Sequence, residues 1–247
     1  MRLLTYNIHK GIGGRDRRYR LERILQVLDH EKPDIVCLQE VDRNVQRSKF
    51  DNQPELIAER LRAVGKLFQF THPVRDGGYG NLLLSKWPFL EEHQISLTLR
   101  GCKVRGAQWA IIATPGGDLR VVNWHLGLRE RERHWQVRRL LEHHLFRGHD
   151  HLPTVIIGDT NDWRNTLAAG PFAIHGYQHV TAPPSRFRSF PAWWPMGALD
   201  KAFIKGPLRV ANSHVSRRQP VVDASDHLPL ILDLEMEPYA PHHSVPR

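Results

Sequence analysis

The chain has 247 residues, with 35 lysine and arginine side chains against 26 aspartate and glutamate side chains and a formal net charge of +9. A chain of this length can form one large domain without the help of disulfides or structural metals. Its two cysteines, Cys37 and Cys102, are too few for a disulfide framework or a cysteine zinc cluster. The apolar runs are all shorter than the roughly 20 residues that cross a bilayer. Without a signal-peptide pattern or a transmembrane segment, we expect a soluble cytoplasmic protein.

Strand and helix signals alternate at the start of the chain. Residues 3–8 are typical of a strand, and the glycine-rich turn at residues 11–14 follows them. Leu21, Ile24, Leu25 and Leu28 have helical spacing, and a short apolar strand at residues 35–38 comes next. The pattern predicts a βαβ unit.

Strand signals outnumber helix signals in the rest of the chain. The predicted helices cover about residues 54–64 and 130–146, and the predicted strands cover residues 67–71, 82–85, 108–114, 119–125, 154–157, 202–204 and 230–232. This mixture favours an α/β sandwich over a simple alternating barrel. We expect one domain over residues 1–236 and a flexible tail, rich in proline and histidine, over residues 237–247.

Polar side chains that could carry chemistry recur where the predicted strands end. They are Asn7, Glu40, His125, Asp159, Asn161, Asp200, Asp226 and His227. One such residue alone is usually a cap or a turn former. The recurrence points instead to a site, because the ends of strands are where α/β folds collect their binding groups.

These residue types can supply what the hydrolysis of a phosphate ester needs. Glu40 suits Mg²⁺ or Mn²⁺ as a carboxylate ligand, and Asn7 and Asp226 are candidates for the same ion. Asp159 is the candidate general base for the attacking water, and Asn161 is the candidate neutral donor to a phosphate oxygen.

The two histidines complete this predicted set. His227 could donate to the phosphate if a carboxylate holds its imidazole, and Asp200 is the natural candidate for that carboxylate. His125 offers a second donor on the other side of the site. The set therefore predicts a divalent-metal-dependent phosphoesterase.

The same residues carry a resemblance to a known family. Six segments resemble, in chain order, the signature segments of the endonuclease/exonuclease/phosphatase (DNase I-like) superfamily: Thr5-Tyr6-Asn7, Leu38-Gln39-Glu40, Trp124-His125-Leu126, Gly158-Asp159-Thr160-Asn161, Leu199-Asp200-Lys201 and Ser225-Asp226-His227-Leu228-Pro229. The resemblance implies a four-layer α/β/β/α sandwich of two packed mixed β-sheets, with the site at one edge. The roles that the family assigns agree with those given above.

Two details refine the resemblance. Residues 7–11, 125–129 and 158–163 are similar to a bacterial, YbhP-like branch, and residues 125–128 lack the pattern of abasic-site endonucleases. Thr160 stands where the family usually has an aromatic residue. Because its side chain should point away from Asp159 and Asn161 on an extended segment, we expect altered packing with intact chemistry.

Several residues are candidates for substrate contacts. Arg105, Arg129 and Arg186 could bind flanking phosphates, and Asn81 could reach the floor of the site. A solvated charged helix face is the favoured interpretation of Arg129, Arg131 and Arg133, because glutamates alternate with them. For Trp193 and Trp194, capping of the core is favoured over stacking on a base or contact with a lipid.

Composition leaves the substrate open. The basic charge favours a phosphate-bearing partner, and a nuclease-type phosphodiesterase is the first hypothesis. The second is a phosphatase or a phospholipase-C-like enzyme acting on a phospholipid headgroup or a small phosphate ester. The third is a catalytically silent protein that binds anionic partners. The sequence does not indicate an oligomeric state.

Overall fold

The computed structural model describes residues 1–75, 77–218 and 221–237, which form two β-sheets with helices. The strands of the first sheet are β1 Arg2–Asn7, β2 Ile35–Arg43, β3 Gly65–Val74, β4 Gly77–Ser85, β11 Leu208–Val215 and β12 Leu230–Met236. Those of the second are β5 Phe89–Ser96, β6 Gly106–Thr114, β7 Gly117–His125, β8 Thr154–Asp159, β9 Gln178–His179 and β10 Asp200–Lys205. The helices are α1 Leu21–Glu31, α2 Gln53–Leu61, α3 Glu130–Leu141, α4 His144–Arg147, α5 Pro171–Ile174 and α6 Val221–Ala224.

Each sheet is mixed and has a parallel pair at its centre. The first has the order β11-β12-β1-β2-β4-β3, with β1 parallel to β2. The second has the order β5-β6-β7-β8-β10-β9, with β7 parallel to β8. The carboxyl ends of parallel strands lie at the same edge of a sheet. Asn7 therefore lies beside Gln39, and His125 lies directly opposite Asp159.

The side chains of β7 and β8 divide between two buried clusters. Val121, Val155 and Ile157 face the core shared by the two sheets, whereas Val122 and Ile156 belong to a second cluster that includes residues of α3. Successive side chains of a strand point to opposite faces, so the second sheet is covered on both faces. The core shared by the sheets also includes residues of α1 and α2. These are the layers of the predicted α/β/β/α sandwich, which is confirmed.

Buried amides connect the two sheets beneath the site. Gln39 Nε2 on β2 donates to Asn123 Oδ1 on β7 at 2.7 Å, and Asn123 Nδ2 donates to the carbonyl oxygens of Leu38 and Leu82 at 3.0 Å. Both amide side chains are fully buried. Because a buried amide needs hydrogen-bond partners, this cluster holds the sheets in one relative position.

The predicted helix over residues 130–146 was wrong in its extent. α3 ends at Leu141, and His143 takes an extended conformation before the short α4 begins. The break lets Phe146 turn into the core, where its ring packs edge-on against Trp109, with centroids 6.4 Å apart. Three strands, β5, β9 and β11, were not predicted. Half or more of the residues in β5 and β11 lie at least partly exposed, and β9 has only two residues.

The domain and tail boundaries are only partly covered by the described residues. The last strand ends at Met236, and residues 238–247 of the predicted tail lie outside the described residues. In the described part of the chain, no helix combines the length and the apolar character needed to span a membrane.

Candidate active site

The ends of β1 and β2 bring Asn7 and Glu40 to the same edge of the first sheet. The pairing of β2 with β4 shifts register between Leu38 and Val41, and Glu40 has a left-handed backbone with φ of 56°. Such a bulge re-aims a side chain that regular pairing would direct elsewhere. The irregular backbone at Glu40 thus presents its carboxylate at the sheet edge.

The end of β8 requires a glycine. Gly158 has φ of +147°, and a Cβ there would lie 2.2 Å from the carbonyl oxygen of Trp124 on β7. Only glycine accepts this approach, which brings Asp159 beside His125. Asn161 follows with φ of 50°, and its backbone N–H donates to Asp159 Oδ1 at 2.9 Å.

Asp159 is the centre of the site. Its carboxylate is buried, and its Oδ2 accepts a hydrogen bond from Asn7 Nδ2 at 3.0 Å. The Nε2 atoms of His125 and His227 lie 3.4 Å and 3.7 Å from the same oxygen. One carboxylate oxygen therefore faces an amide and two imidazoles that come from three separate parts of the chain.

Burial controls the charge of Asp159 and of His125. Burial and the negative charge of Asp200 together raise the pKa of Asp159 to about 6, although the positive charge of His227 acts in the opposite direction. Burial also lowers the pKa of His125 well below its usual value, and the nearby Arg105 guanidinium lowers it further. His125 is therefore a neutral imidazole near neutral pH.

His227, unlike His125, is positively charged near neutral pH. Burial alone would lower its pKa, but the carboxylates of Asp200 and Asp159 outweigh burial and raise the pKa of His227 to about 10. Its Nδ1 lies 3.0 Å from Asp200 Oδ2, which also accepts a hydrogen bond from Ser189 Oγ at 2.5 Å. The imidazolium is thus held by Asp200 with its Nε2 directed towards Asp159.

Glu40, Asn7 and Asp226 carry oxygen donors of the type that a hard divalent cation takes. Although burial alone would raise the pKa of Glu40, the ammonium of Lys10, which contacts this carboxylate, lowers it to about 2. Glu40 is therefore an anion that already attracts a cation. Mg²⁺ typically takes one or two carboxylates and keeps several waters, so Glu40, Asp226 and the Asn7 amide suit it. Among the described residues, no three His, Cys, Asp or Glu side chains form a closed metal cage.

Asp226 lies at the same edge but outside the cluster around Asp159. Its Oδ2 lies 3.9 Å from His9 Nε2, and its side chain is about one quarter exposed, at 24%. The neighbouring Ser225 hydroxyl donates to the backbone carbonyl of Asn7 at 2.7 Å, which anchors this loop to β1. The carboxylate is therefore open to solvent beside the Asn7 end of the site.

Sequence reasoning missed a buried network that supports the loop after β8. The Nζ of Lys201 donates to the carbonyl oxygens of Asp162 and Ala198 at 2.7 Å and 2.6 Å. Arg133 Nη2 lies 3.5 Å from Asp162 Oδ1. Arg133 is 3% exposed, so its predicted place on a solvated helix face was wrong. The Leu199-Asp200-Lys201 segment contained the signal for Lys201, whereas nothing marked Arg133 as buried.

Two further residues were missed because they lie in segments without periodicity. Ser189, which holds Asp200, is in the irregular region before β10, and Lys10 follows the first strand in a turn. The Thr160 side chain is buried, and its hydroxyl donates to the carbonyl of Leu199 at 2.7 Å. That the chemistry of Asp159 and Asn161 is intact beside it stays a prediction.

Two of the predicted substrate contacts line a cavity next to His125. This cavity of about 220 Å³ is lined by Lys103, Arg105, Arg129 and Glu132 among others. Arg105 is 7% exposed, its Nε has no hydrogen-bond partner, and in the described part of the chain no carboxylate lies within 4.0 Å of its guanidinium. A buried charge normally has a partner, so the cavity is suited to an anion.

The other two predicted contacts lie elsewhere. Asn81 is 1% exposed and donates to the carbonyl of Gly106 at 3.1 Å, so it joins β4 to β6 rather than lining an open site. Arg186 lines a separate hollow with Ile204 and Leu208, near the end of β10 opposite Asp200. The structure does not bring either side chain to Asp159.

The predicted capping of the core by Trp193 and Trp194 was wrong. Their side chains are 43% and 71% exposed. The loop that carries them is tied back on itself, because the N–H of Gly197 donates to the carbonyl of Phe190 at 2.8 Å and the N–H of Phe190 donates back at 3.1 Å. This closure directs both indoles outwards.

A comparison with models of known protein families supports the resemblance that the six segments carry. The Endonuclease/Exonuclease/phosphatase family model matches residues 4–227. The chain belongs to the endonuclease/exonuclease/phosphatase family. Members of this family generally hydrolyse phosphoester bonds with the help of divalent metals. The predicted family is therefore confirmed.

Relatives and solved structures extend the comparison over nearly the whole chain. The uncharacterized protein YbhP of Escherichia coli K12 is 29% identical over 248 residues, covering 95% of this chain and 96% of YbhP. A family member from Beutenbergia cavernae has a TM-score of 0.76 at 24% identity, covering 96% of this chain and 71% of that one. A mannosyl-6-phosphatase from Bacteroides thetaiotaomicron has a TM-score of 0.72 at 17% identity, covering 96% and 100%. These structural likenesses show the fold.

Proposed function

We propose that this protein is a divalent-metal-dependent phosphodiesterase that uses Asp159 to activate water. The observation that carries the proposal is the environment of Asp159 Oδ2, which faces Asn7 Nδ2, His125 Nε2 and His227 Nε2 within 3.7 Å. A buried carboxylate surrounded by donors is suited to take a proton from water and to keep that water in line with a phosphorus atom.

The chemical step divides among the residues of this cluster. Asp159 accepts a proton from water as the water oxygen forms a bond to phosphorus, and the bond from phosphorus to the ester oxygen breaks. His227, held by Asp200, donates a hydrogen bond to a phosphate oxygen, and His125 donates from the other side. Asn161 keeps one N–H for the phosphate while the other donates to the carbonyl of Leu126 at 3.0 Å.

Glu40, Asn7 and Asp226 would hold the metal ion, which when bound stabilises negative charge on the phosphate and the leaving oxygen. Lys10 contacts Glu40, so this side chain keeps a cation at the carboxylate and has to give way when a metal binds there. Glu40 and Asn7 come from adjacent parallel strands, which supports the proposal because both side chains lie at the same edge of the sheet.

The experiment that tests this proposal uses purified full-length protein and bis-p-nitrophenyl phosphate. We expect release of p-nitrophenolate with Mg²⁺ or Mn²⁺, its loss on addition of EDTA, and its recovery when excess metal is restored. Absence of turnover with every divalent metal tried would contradict the proposal and favour a protein that only binds anions. A parallel screen of DNA, RNA, phospholipid and small phosphate esters then identifies the ester.

The cavity beside His125 is part of the same proposal, as a subsite for a second anionic group of the substrate. Arg105 supplies a buried guanidinium with no carboxylate within 4.0 Å among the described residues, and Lys103 and Arg129 add positive charge at the rim, so three cations outnumber the one carboxylate, Glu132, in the lining. A water molecule occupies about 30 Å³ of the liquid. A cavity of 220 Å³ therefore has room for a phosphate group as well as waters.

Binding of thymidine 3′,5′-bisphosphate, followed by calorimetry, tests this subsite. In Arg105→Met the affinity for the bisphosphate should fall about tenfold or more, because a charge-assisted contact is lost. The affinity for thymidine 5′-monophosphate should change little. Arg186→Met is the matched control, since this arginine lies in a separate hollow. Equal losses for both nucleotides would argue against a dedicated subsite.

A further inference from the structure

A group of large apolar side chains lies exposed beside the catalytic cluster. This aromatic patch comprises Trp163, Trp193, Trp194 and Met196, which are 52%, 43%, 71% and 58% exposed. Single exposed apolar side chains are ordinary on a protein surface, whereas a contiguous group marks an interaction site. The catalytic chemistry described above uses none of the four, so they need another explanation.

The patch is a built feature of the fold. Besides the paired backbone bonds between Phe190 and Gly197, the N–H of Met196 donates to the carbonyl of Phe190 at 2.8 Å. Trp163 packs edge-on against Phe190, with ring centroids 5.8 Å apart, and it also lies against Gly197. The surrounding backbone therefore holds the indoles in their exposed positions, and their exposure does not come from a loose segment.

The patch is also fixed relative to the catalytic residues. The ring of Phe190 lies 4.9 Å from that of His227. The N–H of Ala192 donates to the carbonyl of Asp226 at 2.7 Å. Whatever binds the patch therefore lies directly beside the edge at which a phosphate would be cleaved.

Basic side chains lie on the chain segments that adjoin the patch. Arg188 and Arg217 are exposed, and the Nη2 of Arg217 donates to the carbonyl of Arg188 at 3.1 Å. Arg15 is exposed next to Gly14, which lies against the Trp193 ring. In the described part of the chain, no carboxylate pairs with these three arginines at 4.0 Å or less, whereas Arg164 is partly neutralised by Glu130 at 3.3 Å.

We propose that the aromatic patch docks this protein on an anionic phospholipid surface, with the catalytic edge facing the lipid headgroups. Tryptophan prefers the boundary between lipid and water because its ring is apolar and its N–H is polar. The flanking arginines add attraction to anionic headgroups. Stacking on nucleic-acid bases is less favoured, since base-binding aromatics line a basic groove, whereas Trp193, Trp194 and Met196 project outwards from a closed loop.

The docking surface stands independently of the catalytic proposal, but its position identifies a substrate class if that proposal holds. An ester presented at the lipid surface would lie next to His227 and Asp226, so a phospholipid headgroup is the ester that this placement favours. This assignment of a phospholipid substrate rests on the proposed function. Docking itself is measured without turnover.

Flotation with vesicles tests docking on the full-length chain. We expect the protein to float with vesicles of equal parts phosphatidylcholine and phosphatidylglycerol and much less with phosphatidylcholine alone. Trp194→Ala/Met196→Ala should weaken this binding about tenfold or more, because apolar area no longer enters the lipid. Phe50→Ala/Val64→Ala is the matched control, since these side chains are 66% and 65% exposed outside the patch.

Two results would overturn the docking proposal. They are absence of flotation with either vesicle, and equal flotation of the Trp194/Met196 variant and the wild type. If the variant that still floats has lost binding of oligothymidylate, the patch binds nucleic-acid bases instead. Thermal melting of both double variants checks that they are folded. If the wild type floats but hydrolyses no ester, the docking surface stands and the catalytic proposal fails.

Discussion

Asn7 Nδ2 donates to Asp159 Oδ2 at 3.0 Å, and this bond joins the end of β1 in the first sheet to the end of β8 in the second. The two residues are 152 positions apart in the chain. Each sheet therefore contributes one side of the site, and the distance between the sheets decides whether the cluster forms.

Substitution of Asp159 tests the assigned base. Asp159→Asn keeps the size of the side chain but removes the proton acceptor, so turnover of bis-p-nitrophenyl phosphate should fall roughly 10²–10⁴-fold. The circular dichroism spectrum should not change. Asp118→Asn is the matched control, because Asp118 is an exposed aspartate at the opposite end of β7. Turnover near the wild-type rate in Asp159→Asn would show that another group is the base.

Ser189 and Asp200 should act as positioning residues for His227. Ser189→Ala removes a hydrogen bond to a charged acceptor and should lower kcat about tenfold with KM unchanged. Asp200→Asn should lower kcat more, by roughly 10²-fold, because the imidazolium loses its carboxylate. Ser189→Thr should restore most of the rate. Ser185→Ala, an exposed serine in the same irregular segment, serves as the control. A change in KM alone would point to substrate binding instead.

Gly158 should be among the positions least tolerant of substitution. In Gly158→Ala the new Cβ would lie 2.2 Å from the carbonyl oxygen of Trp124 at a φ of +147°. The free energy of unfolding, measured with urea, should fall by about 3 kcal/mol or more. At Gly148, φ is −56° and the nearest atoms are 3.7 Å from a Cβ. Gly148→Ala should therefore be neutral or stabilising by up to about 1 kcal/mol. Equal losses at both positions would contradict the steric explanation.

His179 should make stability depend on pH. Burial lowers the pKa of His179 to about 4, with a contribution from Lys201, and its Nε2 lies 2.8 Å from the Thr181 hydroxyl. An unfolded histidine has a pKa of about 6.5. Between about pH 4 and pH 6.5, His179 is therefore protonated in the unfolded chain and neutral in the folded chain. The free energy of unfolding consequently falls as the pH drops from about 6.5 towards 4.

The matching measurement is urea unfolding at about pH 7 and pH 5. In His179→Gln the difference between the free energies of unfolding at the two pH values should be smaller than in the wild type. His30→Gln, at an exposed position on α1, should keep the full difference. If His179→Gln also keeps it, other groups account for the acid sensitivity.

Sequence periodicity predicted the central strands well and the edge strands poorly. β1, β2, β7 and β8 have apolar runs because both of their faces are covered, and such runs are visible without any structure. β5 alternates between exposed and half-buried side chains over most of its length. An edge strand is stabilised by pairing with its neighbour, and that pairing leaves only a weak trace in the local sequence.

The order of residue types along the chain determined the family and indicated the candidate site residues, because most of them lie at or near an end of a strand that its own apolar residues specify. Tertiary structure alone decided how these groups act together. The charge of His227, the buried position of Arg133 and the exposure of Trp194 each depend on elements that are distant in the chain. Burial and Coulomb interactions depend on distance in space, and the packing of the two sheets sets that distance.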